Sequence, residues 1–461
     1  MSQAHRKAAR RRGINRRQFM QTSAAAGFGV WVSTGMAFGA DSSKSALQQV
    51  NVASVGVGGK GGGDSEQAAK HGKLVAICDV DAKTLASAAE KFPDAEQFSD
   101  YREMFEKMGN KIDAVTVSTP DHNHACASMM ALKRGKHVYV QKPMTHWVHE
   151  ARELRKVAKE KGLVTQMGNQ GSASTGLREG VEAIQAGAIG AVKEVHVWTN
   201  RPIWPQSPQI TKRPPSKPVP PNLNWEAWIG PAPFREFHDS LHGFNWRGWW
   251  DFGTGALGDM WCHTANLAYR ALKLEHPLSV VAESTDYNEE TYPSGAHCTW
   301  EFPARGELPA LTWHWYEGKL ADQKTKRLPP MELFHGQKPS DSGSILVGEK
   351  GVLYSPNDYG EQWMLLPKDK FADFKKPEPT LPRNNGGDEG MKKEWINAIK
   401  GNGKAYSSFE IAAPFTETAL LGNLGIRMQG KKVMWDGEAG KCDSDEANKW
   451  LFHEYRKGWT L

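Results

Sequence analysis

Val52-Ala53-Ser54-Val55-Gly56-Val57-Gly58-Gly59-Lys60-Gly61 decides the fold, because a short apolar run passes directly into a G-x-G-x-x-G turn. Glycine is abundant, 46 of 461 residues, so the pattern carries weight only through its surroundings. The run before it reads as a strand. The stretch around Glu66 to Lys70 reads as a helix, so backbone N–H groups at a helix N-terminus face the turn and suit a pyrophosphate. Asp79 closes the next strand eighteen residues beyond Gly61. A carboxylate there accepts hydrogen bonds from both ribose hydroxyls and repels a 2′-phosphate. Gly56, Gly58, Gly59, Gly61 and Asp79 are therefore expected to hold a dinucleotide, NAD in preference to NADP. The competing reading is a glycine-rich surface turn beside a capping aspartate.

Outward from this turn, residues 50–169 alternate β-branched runs with longer helical stretches, the pattern of βαβ units on a parallel sheet. Strands are expected at Asn51–Val57, Leu74–Cys78, Ala114–Ser118, His137–Val140 and Val164–Met167. Helical stretches include Met129–Arg134, as the end of one helix, and Glu150–Lys161. A different character begins after Gly171. A helix near Leu177–Ala186 stops at Gly187 and a strand follows at Val195–Thr199. The proline-rich residues 202–221 can be neither a ladder strand nor a helix interior. Ser279–Ser284, Cys298–Phe302, Leu311–Tyr316, Ser344–Val347 and Gly351–Tyr354 read as strands of a mostly antiparallel sheet, with helices returning at Glu389–Ile399 and Glu410–Arg427. The expected class is α/β: a Rossmann dinucleotide-binding domain over residues 41–170, then an α+β domain with an open-faced sheet over 171–461.

The formal charge of +6 is misleading. Seven basic residues lie in the first twenty positions, residues 1–40 contain no acid, and without them the chain carries −1. No basic surface for nucleic acid is implied. That first segment runs from basic (Arg6, Lys7, Arg10, Arg11, Arg12, Arg16, Arg17) through a modestly apolar stretch, Thr22–Phe38, to small residues at Ala37, Gly39 and Ala40. This is the order of a removable export signal over residues 1–40. Asn15-Arg16-Arg17-Gln18-Phe19-Met20 resembles the twin-arginine signal, which is read by a machinery that passes folded proteins, so the expected location is periplasmic or otherwise extracytoplasmic. The five scattered cysteines fit neither a disulfide framework nor a zinc site. His122, His124 and Cys126 are poorly spaced for a metal, and no metal site is expected.

Two further strand ends place polar residues where an open parallel sheet presents its ligand edge: Ser118-Thr119-Pro120-Asp121-His122-Asn123-His124 and Gln141-Lys142-Pro143. Lys142, between an apolar strand and a proline, is fixed in direction and partly desolvated, so its ammonium can polarise a substrate oxygen; the alternative is a surface lysine. Downstream stands Gly255-Ala256-Leu257-Gly258-Asp259-Met260-Trp261-Cys262-His263. On a helix Asp259 and His263 share a face at i, i+4, so the carboxylate can orient an imidazole able to take a hydroxyl proton. Such a pair is also found in purely structural roles.

The glycine loop, Asp79, the Thr119-Pro120 turn, Gln141-Lys142-Pro143 and the Gly255, Asp259, His263 spacing together resemble the Gfo/Idh/MocA family of nicotinamide-dependent oxidoreductases. The resemblance spans essentially everything after the signal. It implies catalysis by Lys142, Asp259 and His263, with His263 as acid/base, and cofactor contacts from Thr119, Asp121, His124, Gln141 and Lys142. It also implies a sugar or polyol substrate and a homo-oligomer formed through the second sheet. Gln141 departs from the family's usual glutamate and removes a negative neighbour of Lys142.

Trp198, Trp204, Trp225, Trp228, Trp246, Trp249, Trp250 and Trp261 suit the faces and hydroxyls of a sugar, or else fill the second core. Asn169, Trp249 and Trp250 are the substrate candidates. The expected reaction is hydride transfer from a secondary alcohol carbon to nicotinamide. Free NAD is scarce outside the cytoplasm, so export favours a tightly held cofactor. It also keeps open a redox-neutral glycoside hydrolase or lyase cycle, with a non-catalytic sugar-binding protein as the further alternative.

Overall fold

The structure, a computed structural model, describes residues 49–384 and 386–461. The expected signal, residues 1–40, lies outside the described residues. The first layer is a six-stranded parallel sheet whose elements run β1 (Asn51–Val55), α1 (Lys60–Ala69), β2 (Lys73–Cys78), α2 (Ala82–Lys91), β3 (Glu96–Phe98), α3 (Tyr101–Met108), β4 (Ala114–Val117), α4 (Asp121–Lys133), β5 (His137–Val140), α5 (Val148–Glu160) and β6 (Thr165–Met167). Strand order is β3-β2-β1-β4-β5-β6, a doubly wound Rossmann sheet. β3 was not expected; it has three residues, two of them exposed, and so carries no apolar pattern.

Helix α6 (Thr175–Gln185) and strand β7 (Val192–Thr199) lead into the proline-rich segment. Then come α7 (Trp225–Ile229), α8 (Gly255–Thr264), α9 (Asn266–Ala271), β8 (Ser279–Thr285), β9 (Gly295–Phe302), β10 (Leu311–Gly318), β11 (Gly343–Gly348), β12 (Gly351–Ser355) and β13 (Met364–Leu366). The chain closes with α10 (Gly387–Ile399), α11 (Phe409–Arg427), β14 (Val433–Asp436), β15 (Lys441–Cys442) and a last short helix, α12 (Asp445–Asn448). The second sheet has nine strands in the order β13-β12-β11-β7-β10-β9-β8-β14-β15, antiparallel except where β10 runs parallel to β7.

Side chains alternate across this sheet. One face turns Trp300, Trp313 and Trp315 onto helices α8 and α11, where Trp261 meets Trp300 and Trp313 at ring separations of 5.1 and 5.0 Å. Much of the tryptophan content is therefore core. The first layer is not closed by its own helices alone. Met391, Trp395 and Ile396 of α10 pack with Val52, Ile77 and Tyr139, and the Trp395 ring lies 5.7 Å from that of Tyr139, edge to face. All five cysteines are buried and unpaired.

Candidate functional site

Register builds the site. Val55 pairs with Cys78 and Val117, Val117 with Val140, and Val140 with Met167, so the strands end level. The residues that follow, Gly56, Asp79, Ser118-Thr119 and Gln141-Lys142, emerge along one edge. Gly56 has φ +80°, and a Cβ there would sit 2.6 Å from the Ser118 carbonyl oxygen. A Cβ on Gly61 would lie 2.0 Å from the Gly56 carbonyl oxygen, so only glycine lets α1 pack against the turn.

A cavity of about 590 Å³ runs along this edge, lined by Gly56, Gly58, Gly59, Asp79, Thr119, Asp121, Gln141, Lys142 and Asp259 among others. Asp79 is fixed by the backbone, its Oδ2 accepting from Val57 N and its Oδ1 from Asp81 N, both at 2.9 Å. Burial raises its pKa against the pull of these bonds. Thr119 Oγ1 is buried without a partner at the cavity wall. Glycines that leave no room for a Cβ, a carboxylate at the end of β2 and an unpartnered hydroxyl fit a dinucleotide.

At the far end Lys142 Nζ donates to Asp259 Oδ1 at 2.8 Å and to its carbonyl at 2.9 Å, while Arg247 Nε donates to the same Oδ1 at 3.3 Å. Burial alone would raise the Asp259 pKa, but the charges of Lys142 and Arg247 bring it down to about 2. Asp259 thus holds the ammonium. The expectation that it orients His263 is not met, since no hydrogen bond joins them and His263 Nδ1 is buried without a partner. The cations compete better for the carboxylate than an imidazole whose pKa burial, then Lys142, lowers to about 3. His263 does not line the cavity; its ring meets that of Tyr359 edge to face at 5.0 Å.

Asp121 Oδ2 accepts from Thr254 N at 3.1 Å and Thr254 Oγ1 at 2.6 Å, tying the turn before α4 to the start of α8. Burial lifts its pKa to about 7 against these bonds. His124 is away from the cavity and holds two turns together, Nδ1 at 2.7 Å from the Pro143 carbonyl and Nε2 at 2.8 Å from that of Thr119. Gln141 donates to Asp64 Oδ2 at 2.8 Å, and its Oε1 accepts from Lys142 N at 3.2 Å, so its side chain addresses the Asp64 carboxylate and the Lys142 backbone and makes no hydrogen bond with the ammonium.

The three substrate candidates do not line the cleft. Trp249 and Trp250 are buried, with indole N–H groups donated to Ser240 O at 2.7 Å and Asn288 O at 3.0 Å. Asn169 is fully buried and accepts from Ser407 Oγ at 2.7 Å. Instead Trp228, His242, Phe244, Trp246 and Arg247 roof the cavity. Asn224 N donates to Val80 O at 2.9 Å and Asn222 Nδ2 to Asp81 Oδ2 at 2.9 Å, fastening this roof beside Asp79. Trp459 also lines the cavity, with the Arg102 guanidinium 4.5 Å above its ring. Arg247 and Trp459 carry no motif; the only sequence signal for Arg247 is its place in the run Trp246-Arg247-Gly248-Trp249-Trp250.

The chain belongs to the Gfo/Idh/MocA family of oxidoreductases: the family's NAD-binding Rossmann fold matches residues 50–169 and its C-terminal alpha/beta domain residues 184–296. Among characterised relatives, it is 29% identical over 148 residues to an inositol 2-dehydrogenase of Rubrobacter xylanophilus, covering 31% of this chain and 42% of that one. It is 30% identical over 129 residues to a D-glucoside 3-dehydrogenase of Escherichia coli, covering 28% and 35%. The matched stretches thus span less than half the length of these relatives. The fold is shared with an inositol dehydrogenase homolog from Azotobacter vinelandii complexed with NADH and myo-inositol, at TM-score 0.56 and 16% identity over 85% of this chain and 99% of that one.

Proposed function

We propose that the protein is an NAD-dependent oxidoreductase acting on a secondary alcohol of a sugar or polyol. The observation that carries this reading is the Lys142–Asp259–Arg247 cluster, which closes one end of a cleft whose strand edge carries Asp79. Gly56, Gly58, Gly59, Gly61 and Thr119 would hold the dinucleotide, and Asp79 would favour NAD by accepting the ribose hydroxyls and repelling a 2′-phosphate. When bound, nicotinamide supplies a two-electron hydride acceptor. Lys142, held in place by Asp259, stabilises negative charge on the alcohol oxygen. The family resemblance gives the hydroxyl proton to His263, whose unpartnered Nδ1 lies buried outside the cavity, so this role requires substrate binding to bring the imidazole to the cleft. The sugar and inositol chemistry named for the relatives supports the substrate class.

The roof and Trp459 support a tightly held cofactor, in keeping with export through the twin-arginine machinery directed by Arg16 and Arg17. Retention of the dinucleotide favours a second substrate that returns the hydride, or a redox-neutral glycoside-cleaving cycle. We further propose that the second sheet pairs copies of the chain. Mass spectrometry of the purified protein for dinucleotide, followed by a sugar and polyol screen on bound NADH absorbance, tests the central reading. Reduction by a polyol supports it. Sugar release with no net absorbance change selects the cleavage cycle, and no response to any sugar rejects both. Cell fractionation after Arg16→Lys and Arg17→Lys replacement tests export; an unchanged location refutes it.

A further inference from the structure

The outer face of the second sheet gathers side chains that neither the cleft nor the core uses. Glu194 and His196 lie two residues apart on β7 and share a face. β10 runs parallel to β7 with His314 opposite His196, and β9 lies beyond with Thr299 opposite His314. The rings of His196 and His314 stack at 4.9 Å. His196 Nε2 is 3.0 Å and His314 Nε2 3.4 Å from Glu194 Oε1, and the three atoms lie within 4.8 Å of one another.

His196 is 1% exposed, and its Nε2 has no hydrogen-bond partner although it lies so near a carboxylate. A proton on that nitrogen would not point at the oxygen. The other ring nitrogens are engaged: His196 Nδ1 is 3.0 Å from the Tyr316 hydroxyl, and His314 Nδ1 is 3.2 Å from both the Thr299 hydroxyl and His297 Nε2. When Nδ1–H donates to such a neighbour, the tautomer is set and Nε2 presents its lone pair. Two nitrogen lone pairs and a carboxylate oxygen then converge, an arrangement that a cation between them makes favourable.

We propose that Glu194, His196 and His314 bind a divalent transition metal ion of the zinc class. Two imidazoles and one carboxylate suit such a borderline ion better than magnesium or calcium, which prefer oxygen ligands. Tetrahedral bonds of about 2.0–2.1 Å put ligand atoms about 3.3 Å apart, close to the separations from Glu194. The side chains of Glu194 and His314 are 43% and 18% exposed, which leaves a fourth position for water. The ion would clamp β7 to β10, the sheet's parallel pair among the described strands.

The test is calorimetric titration of Zn²⁺ into the chelator-stripped full chain, with the wild type beside Glu194→Gln and His314→Ala. Visible absorption of bound Co²⁺ gives a second readout. His196 is left intact because its burial makes its replacement a folding risk. The expected result is one saturable site per chain with a tetrahedral cobalt spectrum, bound at least 30-fold more weakly in both variants, while zinc raises the melting temperature of the wild type alone. Absence of saturable binding to the wild type, or equal binding by Glu194→Gln, overturns the proposal.

Discussion

Gln141 Nε2 donates to Asp64 Oδ2 at 2.8 Å, linking the residue before Lys142 to the helix of the glycine loop. Asp64 is fully buried and is also held by Ser118 Oγ at 2.8 Å and by the ammonium groups of Lys60 and Lys392, both at 2.6 Å. Both lysines also meet Asp388. Two cations and two carboxylates balance, and an amide at 141 completes the cluster as a donor. A glutamate there would add an uncompensated charge against Asp64. Gln141→Glu is therefore expected to destabilise the protein by about 2–4 kcal/mol while leaving the pH–rate profile in place, because residue 141 does not reach the Lys142 ammonium. Thermal melts of Gln141→Glu, Asp64→Asn and the double variant check this, with the double variant more stable than Gln141→Glu alone.

Lys142→Ala removes the group held by Asp259 beside the cleft. Turnover should fall by about 10²–10³-fold, the scale for losing one stabiliser of developing oxyanion charge. Dinucleotide affinity should change little. Steady-state kinetics alongside calorimetry of NAD binding separates the two quantities.

Asp79→Ser leaves the glycine loop without its carboxylate and the Val57 amide without its acceptor. NAD should bind about tenfold or more weakly, while NADP, relieved of repulsion, should gain relative to it. Competitive titration with both dinucleotides measures the ratio. An unchanged ratio places the discrimination elsewhere.

Trp459 carries the Arg102 guanidinium on its ring and lines the cavity, so Trp459→Ala opens that wall. Retained dinucleotide should be lost faster, by about tenfold, on the scale of one aromatic packing contact at the wall. Mass spectrometry after gel filtration reads the loss, and the melting temperature of the cofactor-free protein should fall by only a few degrees, the share of the lost Arg102 contact.

Asp121 gives a pH signature. Its folded pKa, about 7, lies above the ordinary value of 3.8 because burial disfavours the charge. The unfolded chain releases this proton first, so the group's contribution to stability declines as pH rises from about 4 to about 7 and is level above. Asp121→Asn should flatten that part of the stability–pH curve, as melts at half-unit pH intervals would reveal.

The glycine loop, its strand and Asp79 were legible because a Rossmann turn is local: the glycines, the strand and the carboxylate lie within one βαβ unit. His137–Val140 was read to the residue, since a buried parallel strand is a continuous apolar run. What escaped was non-local. Asp259 sits four residues from His263, and spacing alone could not reveal that Lys142 and Arg247, distant in sequence, would take its carboxylate instead. Trp249 and Trp250 have the right chemistry for a sugar, but composition does not tell which face of a loop turns inward. Glu194, His196 and His314 form a cluster only once β10 is known to lie beside β7 in one register.

Trp395 lies more than 250 residues beyond Tyr139 in the chain, yet the two share one core. The dinucleotide-binding layer therefore cannot finish folding as it emerges from the ribosome; it waits for a helix synthesised long after its last strand. Contacts at such sequence separation slow folding and leave an apolar flank open in the interval, a natural place for a chaperone to hold the chain. An excised fragment ending near Asn169 would carry every glycine of the loop and still expose the surface that α10 covers, so it should aggregate rather than bind.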